Sequence, residues 1–335
     1  MSLIIPENYK SNLNGRETEK AIKFIKDTFQ HEIISALNLQ RISAPLFVRP
    51  ETGLNDNLNG VERPVSFDAP CIGGATLEIV HSLAKWKRMT LGRYGFNPGE
   101  GLYTDMNAIR RDEEVDNLHS MYVDQWDWEA VINKSDRTVE TLKRFVERIY
   151  TAMKSTQSRV CQKFSGIENN FPEEITFITT QELEDMYPDL EPKERENKLL
   201  REKKAVFLMQ IGKELKSGQR HDGRAPDYDD WELNGDILVY YPVLDMAYEL
   251  SSMGIRVDED SLLSQIKIAG CEDRLELDFH KKLLNKELPY TIGGGIGQSR
   301  LCMYMLGKAH IGEVQASVWP DDMRKTCEEK GIKLL

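Results

Sequence analysis

Short apolar segments joined by polar loops are the feature of this sequence that most limits the folds open to it. Residues 102–109 and 121–128 predict two strands, and the charged loop 110–117 between them makes a hairpin with a long tip. Further strands are predicted at 77–80, 175–179, 206–211, 237–241 and 247–257. Hairpins join antiparallel neighbours, whereas parallel strands need long crossovers. We therefore expect an α+β fold, a mainly antiparallel β-sheet flanked by helices, and not a doubly wound parallel sheet.

Helical periodicity accounts for much of the remaining chain. Between residues 18 and 37, apolar side chains recur at spacings of three and four, which places one stripe on a core-facing helix. The same pattern predicts the longest helix, at 137–164, and shorter helices at 81–91, from Pro192 onward and at 296–306. The segment 41–47 contains Pro45 and is expected to form an edge strand.

Composition and charge exclude several classes of protein. The 335 residues contain no linker rich in proline or in glycine and serine, so we expect residues 1–335 to form a single catalytic domain. Acidic residues number 55 against 44 basic ones, and the net charge of -11 disfavours a broad grip on nucleic acid. No apolar run approaches the length of a membrane span, and the start MSLIIP is too short and uncharged for a signal peptide. A cytoplasmic protein is expected.

Cysteine and histidine spacing gives no sign of a disulfide framework or a zinc site. The five cysteines are widely spaced without a Cys-x-x-Cys pair, which is typical of reduced thiols. The six histidines lack the His-Glu-x-x-His spacing, and each is expected to be structural or exposed instead of a metal ligand. Position 2 is serine, so an N-terminal cysteine nucleophile for hydrolysing glutamine is absent.

The glycine-rich stretch TIGGGIGQSR at 291–300 is expected to form a turn that leads into the last helix. A helix start of this kind favours an anion, because backbone N–H groups and the helix dipole point at it. The stretch nevertheless fails the Gly-x-Gly-x-x-Gly pattern, since Gln298 stands where the third glycine would be, and no Gly-Lys-Ser/Thr follows. A tight strand-to-helix turn and an anion site both remain open for it.

Cations with distinctive contexts suggest a ligand with several phosphates. Arg300 follows the glycines, Arg110 ends a strand at the hairpin tip, and Arg256 lies in a strand. A further cluster, Lys85, Lys87 and Arg88, shares one predicted helix, where it makes either a solvated face or part of a site. Guanidinium groups match phosphate oxygens in a bidentate manner, so such cations among carboxylates suit a polyphosphate.

Strand alternation also brings carboxylates and amides together. The period of two places Gln125 and Asp127 on one face of their strand, and it places Glu249 beside Ser251 on another. Such side chains make either a buried polar network or a ligand site. Because Mg²⁺ prefers a few carboxylates together with nucleotide phosphates, Asp236 and Glu249 are candidate ligands for it.

Several strings, spread in order through nearly the whole chain, resemble those of ammonia-dependent asparagine synthetases, also called aspartate-ammonia ligases. The fold of that family resembles the catalytic core of class II aminoacyl-tRNA synthetases; TIGGGIGQSR resembles its motif 3 and the Arg110 hairpin its motif 2. The other strings are HSLAKWKR at 81–88, GEGLYTDM at 99–106, YVDQWDWE at 122–129, RAPDYDDW at 224–231, NGDILV at 234–239 and YELSSMGIRVD at 248–258.

The resemblance implies synthesis of asparagine from aspartate, ATP and ammonia through a β-aspartyl adenylate, with release of AMP and pyrophosphate, in a homodimer without tRNA. It implies that Arg110 holds the α-phosphate, that Arg300 holds the other end of the nucleotide, and that Asp236 and Glu249 hold Mg²⁺. Residues implied around aspartate and ammonia are Asp56, Ser82, Lys87, Gln125, Asp127 and Asp229. Further implied contacts are Arg224 with aspartate, and Ser251 and Gly295 with the nucleotide.

Two alternatives stand beside this interpretation. An aspartyl- or asparaginyl-tRNA synthetase core would be expected to carry an anticodon-binding domain and a basic RNA-binding face, and neither is evident in this acidic chain. A related protein that binds without catalysing would be expected to lack Arg110, Arg300 or the metal carboxylates, and all of them are present.

Overall fold

The computed structural model describes residues 3–56 and 62–335, so the serine at position 2 lies outside the described part. Within it, the helices are α1 (Gly15–Leu37), α2 (Ala84–Tyr94), α3 (Val139–Lys163), α4 (Thr180–Met186), α5 (Pro192–Lys203), α6 (Glu259–Ala269), α7 (Asp278–Leu284), α8 (Gln298–Leu306) and α9 (Asp321–Glu329). The strands are β1 (Leu39–Arg41), β2 (Phe47–Val48), β3 (Ser66–Ala69), β4 (Ala75–Ile79), β5 (Gly101–Ile109), β6 (Tyr122–Val131), β7 (Thr176–Thr179), β8 (Ala205–Met209), β9 (Asp229–Tyr241), β10 (Met246–Arg256) and β11 (Thr291–Gly297).

Eight of these strands form one large sheet in the order β1-β5-β6-β11-β10-β9-β8-β7. The central pairings from β5 to β8 are all antiparallel, and only β1 with β5 and β7 with β8 at the two edges are parallel. A small antiparallel sheet, β2-β4-β3, lies beside it. The expected α+β class with a mainly antiparallel sheet is confirmed.

One face of the large sheet is covered by α1, α3 and α8. The apolar stripe of α1, which includes Ile25, Phe29 and Ile33, is fully buried, as its periodicity predicts. Phe29 packs against Trp126 of β6 with ring centroids 4.8 Å apart. Each such buried side chain contributes about 1.5–3 kcal/mol to stability. Asn14 fixes the start of α1 by a reciprocal capping box with Glu17.

Helices also pack on parts of the opposite face. Helices α4 and α5 bury Leu183 and Leu199 against Leu208 of β8 and its neighbours. Towards the other end α2 packs Leu91 against Leu102 of β5, and it also contacts β6 and β11. Polar side chains of β6, β9 and β10 on this face line a cavity.

Two sequence-based predictions about local structure are wrong. The glycine-rich segment is not a turn: residues 291–297 form the central strand β11, hydrogen-bonded between β6 and β10, and α8 begins only at Gln298. The expected edge strand at 41–47 is divided, because its first residue ends β1 in the large sheet whereas Phe47 begins β2 in the small one. Pro45 lies between them without a backbone donor for a continuous ladder.

No helix among the described residues is long and apolar enough to cross a membrane.

Candidate active site

A cavity of about 430 Å³ lies over the polar face of the large sheet. Most residues that the sequence singles out lie on its wall, although they come from strands and loops far apart in the chain. The sequence-predicted residues that line it are Asp56, Ser82, Arg110, Gln125, Asp127, Arg224, Asp229, Asp236, Glu249, Gly295 and Arg300. Lys87 and Ser251 are not among the described residues of this lining.

Gly294, Gly295 and Gly297 of β11 line the cavity, and the glycines of this strand leave room for neighbouring side chains. A Cβ atom at Gly293 would collide with the carboxylate of Glu129, and one at Gly295 would collide with the amide of Gln125. Both glycines therefore leave room for polar side chains of the adjacent strand β6. The glycine-rich stretch acts as a floor that side chains and ligands can approach closely, which is a use of glycine other than the expected turn.

Five charged residues on this floor, Lys87, Asp127, Glu129, Asp229 and Arg256, form the floor cluster, and all five are buried. Arg256 donates from Nη2 to Glu129 Oε2 at 2.7 Å and from Nη1 to Asp229 Oδ1. Burial opposes ionisation of Glu129, yet the charges of Arg256 and Lys87 hold its pKa below the usual value. Arg256 thus holds carboxylates of two strands together.

Lys87 lies beneath the cavity and does not reach it. Its Nζ donates to Asp127 Oδ1, to the carbonyl of Trp128 at 2.9 Å and to the carbonyl of Gly294 at 3.3 Å. An ammonium has three N–H donors, so all of them are used within the protein. Burial lowers the pKa of Lys87 and raises that of Asp127, because both lose solvent. Lys87 therefore holds Asp127 in place and has no donor left for the direct contact with a substrate that the resemblance implies.

A second group, the rim cluster, consists of Arg110, Arg224, Asp236, Glu249 and Arg300. Arg224 Nη2 donates to Asp236 Oδ1 at 2.7 Å, and Arg300 Nη1 lies 3.4 Å from Glu249 Oε2. Arg110 lies 3.8 Å from a carboxylate oxygen of its own hairpin loop, and its buried Nε has no hydrogen-bond partner in the part of the chain that the structure describes. The rim cluster thus keeps donor capacity that the protein does not use.

The two carboxylates of the rim cluster differ in their ease of ionisation. Burial raises the pKa of Asp236 to about 6, and the negative charge of Glu249 adds to this effect while Arg224 opposes it. Burial also disfavours the charged form of Glu249, but Arg300 and other cations outweigh burial and keep its pKa below the usual value. Two acidic groups held this close favour a bound cation.

A β-bulge in β10 corrects the prediction for Ser251. The pairing with β9 shifts between Glu249 and Ser251, so the simple alternation that would place both on one face is broken. Ser251 is buried away from the cavity, whereas Ser252 lines it and accepts a hydrogen bond from Arg224. The residue missed by the sequence argument is thus the immediate neighbour of the one it chose.

The loop before β9, residues 224–228, is anchored from outside the cavity. Asp227 is fully buried, and its Oδ2 accepts hydrogen bonds from Lys85 Nζ at 3.0 Å, His280 Nε2 at 3.0 Å and Arg274 Nη1 at 3.3 Å. Despite burial, the charge of Lys85 and the hydrogen bond of His280 hold the pKa of Asp227 well below its usual value. This anchor fixes the positions of Arg224 and Asp229, which flank it.

Other cavity residues were not found from the sequence. Arg63 donates to Asp112 from its backbone N at 3.1 Å, from Nε at 3.0 Å and from Nη2 at 2.6 Å, which joins two loops at the mouth. These hydrogen bonds lower the pKa of Asp112 to about 2. Tyr228 and His81 also line the cavity. Loop residues follow no periodicity, so the strand and helix patterns did not single them out, although His81 and Tyr228 lie in strings that carry the resemblance.

Chemically, the arrangement can bind a polyphosphate beside a small charged molecule. The rim cluster has three guanidinium groups, and the floor cluster has more carboxylates than cations. No group of three metal-ligating side chains occurs among the described residues, so a divalent cation would need ligand oxygens to complete its shell. The described lining of the cavity contains no lysine and no cysteine.

Comparison with known proteins finds a family model described as aspartate-ammonia ligase that matches residues 16–331. The aspartate-ammonia ligase of Ruminiclostridium cellulolyticum is 69% identical, and the match covers 100% of this chain and 99% of that protein. The protein of the same name from Clostridium tetani is 65% identical over 99% of this chain and 98% of its own length. That of Lactobacillus johnsonii is 61% identical, with both chains covered completely.

Among solved structures, asparaginyl-tRNA synthetases share the fold at low sequence identity. The enzyme of Entamoeba histolytica superposes with a TM-score of 0.64 at 12% identity, covering 90% of this chain and 67% of that one. The enzyme of Pyrococcus horikoshii, solved with asparaginyl-adenylate, gives a TM-score of 0.63 at 15% identity, covering 90% of this chain and 70% of that one. The architecture is thus that of a class II aminoacyl-tRNA synthetase catalytic domain.

Proposed function

The chain belongs to the aspartate-ammonia ligase family, and from this premise we propose that its cavity makes asparagine from aspartate, ATP and ammonia through a β-aspartyl adenylate. In the first step, an oxygen of the aspartate β-carboxylate attacks the α-phosphorus of ATP, and pyrophosphate leaves. In the second step, ammonia attacks the acyl carbon, and AMP leaves.

The observation that carries this proposal is the unused donor capacity of the rim cluster. Arg110, Arg224 and Arg300 all act electrostatically on Glu249, so the three guanidinium groups surround one place. Adenylate formation needs the substrate carboxylate in line with the α-phosphorus and cations on the phosphates, and it needs no nucleophile on the protein. We assign Arg110 to the α-phosphate, Arg300 to the opposite end of the nucleotide, and Gly295 and Ser252 to close contact with it.

Mg²⁺ fits this site through Asp236 and Glu249. Their mutual repulsion, which contributes to the raised pKa of Asp236, would be relieved by a divalent cation. Mg²⁺ is commonly held by one or two carboxylates together with substrate phosphates, which matches this two-carboxylate set. When bound, the ion would neutralise charge on the phosphates of ATP.

We assign aspartate to the floor cluster and the loop that precedes β9. Asp229 and Asp127 offer carboxylates to its amino group, and Arg224 and Arg256 offer guanidinium groups to its carboxylates. Gln125 and Ser82 add neutral donors and acceptors on the same wall. Asp56 completes the region where we place ammonia, because a carboxylate attracts the ammonium cation.

The assembly and setting of the enzyme follow from the same proposal. We propose a homodimer in which residues 1–335 form one catalytic domain without tRNA as a partner. The cytoplasm supplies ATP and keeps thiols reduced, and all five cysteines are unpaired in the structure. Sedimentation velocity of the purified chain measures the oligomeric state, and a monomer at micromolar concentration would refute the dimer.

The decisive experiment for the reaction is exchange of labelled pyrophosphate into ATP with aspartate alone. We expect exchange without ammonia or tRNA, and AMP as the nucleotide product once ammonium is added. Release of ADP would instead show a β-aspartyl phosphate and overturn the adenylate. Glutamine at equal concentration should support little asparagine; glutamate released in step with asparagine would overturn the assignment of ammonia as nitrogen donor.

A further inference from the structure

We propose that His81 is the catalytic base that takes a proton from ammonium and so generates the attacking ammonia. This inference rests on the proposed function, because it assigns the proton acceptor of its second step. Neither the strand pattern nor the charge pattern of the sequence pointed to this residue, since an isolated histidine is more often structural.

The ring of His81 is fully buried and lines the cavity just before α2. Its backbone N–H donates to the side-chain oxygen of Asn55 at 2.9 Å, and ring atom Nδ1 lies 2.9 Å from the backbone carbonyl oxygen of Asp56. Two contacts from one short segment thus fix both the main chain and the ring. The base is held rigidly, as proton transfer requires.

These contacts determine which ring nitrogen carries the proton. A carbonyl oxygen can only accept a hydrogen bond, so the short Nδ1 contact requires Nδ1–H as donor. In a neutral imidazole, Nε2 then bears the lone pair. Nε2 is buried and has no hydrogen-bond partner among the described residues. His81 borders a polar cavity, and a buried acceptor without a protein partner calls for a donor from a ligand. Ammonium is a donor only.

The surroundings of His81 favour a cation next to it. Tyr228, Asp56 and Asp229 all line the cavity. Burial and the negative charges of the two aspartates raise the pKa of Tyr228 well above its usual value, which indicates that the three side chains are neighbours. The carboxylates attract ammonium. The Nδ1–H bond to the carbonyl of Asp56 is kept in both protonation states of the ring.

Other cavity groups are less suited to accept this proton. Asp127 accepts a hydrogen bond from Lys87, and Asp229 accepts one from Arg256, so both serve as partners of buried cations. Gln125 has no basic atom. His119 is the other histidine of the described lining, and its Nδ1 is hydrogen-bonded to Oδ1 of Asp116 at 2.9 Å.

The step balances as follows. One N–H bond of ammonium breaks, its proton bonds to Nε2 of His81, and the electron pair remains on nitrogen as ammonia. That pair forms the C–N bond to the acyl carbon, and the C–O bond to the phosphate breaks, so AMP leaves with its electrons. The nitrogen then loses a second proton to AMP or to water, which yields the neutral amide. His81 releases its proton to water after the products leave.

The test compares two nitrogen nucleophiles in His81→Asn. The asparagine amide can still donate to the carbonyl of Asp56, but it has no basic nitrogen at the Nε2 position. Ammonium must lose a proton before it can attack, whereas hydroxylamine is mostly uncharged at neutral pH and can attack directly to give the β-aspartyl hydroxamate. His31→Asn on the exposed side of α1 is the matched control.

We expect His81→Asn to lower ammonium-dependent asparagine synthesis by about 10²- to 10⁴-fold, the usual contribution of a general base. Pyrophosphate exchange with aspartate should stay within about threefold of the wild type, and hydroxamate formation within about tenfold. Unchanged synthesis from ammonium, or an equal loss in all three assays, would overturn the assignment. His81→Gln, which places an acceptor without basicity near Nε2, should show the same selective loss if His81→Asn does not fold.

Failure of this inference is distinguishable from failure of the proposed function. Pyrophosphate exchange by the wild type tests the adenylate alone and involves no nitrogen donor. If exchange occurs and the His81 variants show no selective loss, only the base is wrongly assigned.

Discussion

The floor cluster and the rim cluster contain the same kinds of charged residue but use them differently. In the floor cluster, Arg256 and Lys87 direct their hydrogen bonds to acceptors of the protein itself, and the exposed fraction of either side chain is at most 3%. In the rim cluster, Arg110 keeps a buried Nε without a partner in the described chain, and its side chain is 28% exposed. The cations of the floor cluster are thus held by acceptors of the protein, whereas Arg110 keeps a donor for a ligand.

This difference separates stability from activity. Removing one partner of a buried ion pair leaves an uncompensated charge, which costs far more than the loss of an exposed pair. Arg110 of the rim cluster can be changed without leaving such a charge, because its side chain is 28% exposed and its contact with Glu113 is long at 3.8 Å. Substitutions in the floor cluster should therefore unfold the protein, and conservative ones in the rim cluster should impair catalysis in a folded protein.

The largest effect is expected for Arg256→Leu in the floor cluster. Glu129 and Asp229 would be left buried without their cation, so the free energy of unfolding should fall by about 3–5 kcal/mol. Urea denaturation measures this change. Arg201→Leu, which breaks the exposed pair with Asp245, is the control and should change the free energy of unfolding far less. Equal losses for the two variants would show that the floor cluster is not a buried network.

Arg110→Lys should produce the converse result in the rim cluster. Lysine keeps the charge but loses the planar fork that spans two phosphate oxygens, so kcat/KM for ATP should fall about 10²-fold or more. The free energy of unfolding from urea denaturation should stay within about 0.5 kcal/mol of the wild-type value. Arg93→Lys, at an exposed position of α2, serves as the control. Activity within threefold of the wild type would place Arg110 outside the phosphate site.

Asp236 gives the rim cluster a pH dependence of stability. Its pKa is about 6 in the folded protein, above the usual carboxyl value of 3.8, so the folded state binds more protons between these values. This contribution to stability is complete below pH 4 and is lost as the pH rises through 6. Across this window the free energy of unfolding of the wild type should decline by about 2–3 kcal/mol because of this group, and Asp236→Asn should remove that decline. Urea denaturation of both proteins at several pH values measures the difference.

As a control, the same urea curves are recorded with saturating concentrations of Mg²⁺ and ATP. The difference in stability between the two proteins should then become smaller, because a bound cation favours ionised Asp236. A pH-independent difference between Asp236→Asn and the wild type would contradict the raised pKa.

The smallest effect is expected for Glu249→Gln. Loss of one negative charge from the proposed metal shell should raise the Mg²⁺ concentration for half-maximal activity by about tenfold, which corresponds to about 1.4 kcal/mol. A Mg²⁺ titration at fixed ATP measures it. Glu232→Gln, an exposed glutamate of β9 paired with Lys213, should leave the titration unchanged. An unaltered titration in Glu249→Gln would restrict that residue to binding Arg300.

Local sequence patterns predicted the parts of the fold that depend on neighbouring residues. The hairpin of β5 and β6 and the stripe on α1 follow directly from periods of two and 3.6. The alternation along β6 also placed Gln125 and Asp127 on the cavity face, where the structure has them. These predictions succeeded because side-chain direction along a regular element is set by the backbone of that element alone.

The errors occurred where backbone regularity is broken or where a partner is distant. A bulge in β10 moved Ser252 into the place assigned to Ser251, and a bulge leaves no mark in the alternation of the sequence. The glycines of β11 were predicted as a turn, because their need for space comes from Glu129 and Gln125 on another strand. Neither the bulge nor the crowding exists until the strands pair.

The sequence by itself determined the class of fold, the family resemblance and the types of charged residue that the site contains. Only the tertiary structure decided which charged groups have their hydrogen bonds filled by the protein and which keep donors for a ligand. Lys87 and Arg110 look alike in the sequence, but one has all its donors on buried acceptors and the other retains a free one. The physical reason is that hydrogen-bond saturation depends on groups brought together from distant parts of the chain, and burial makes that saturation decisive.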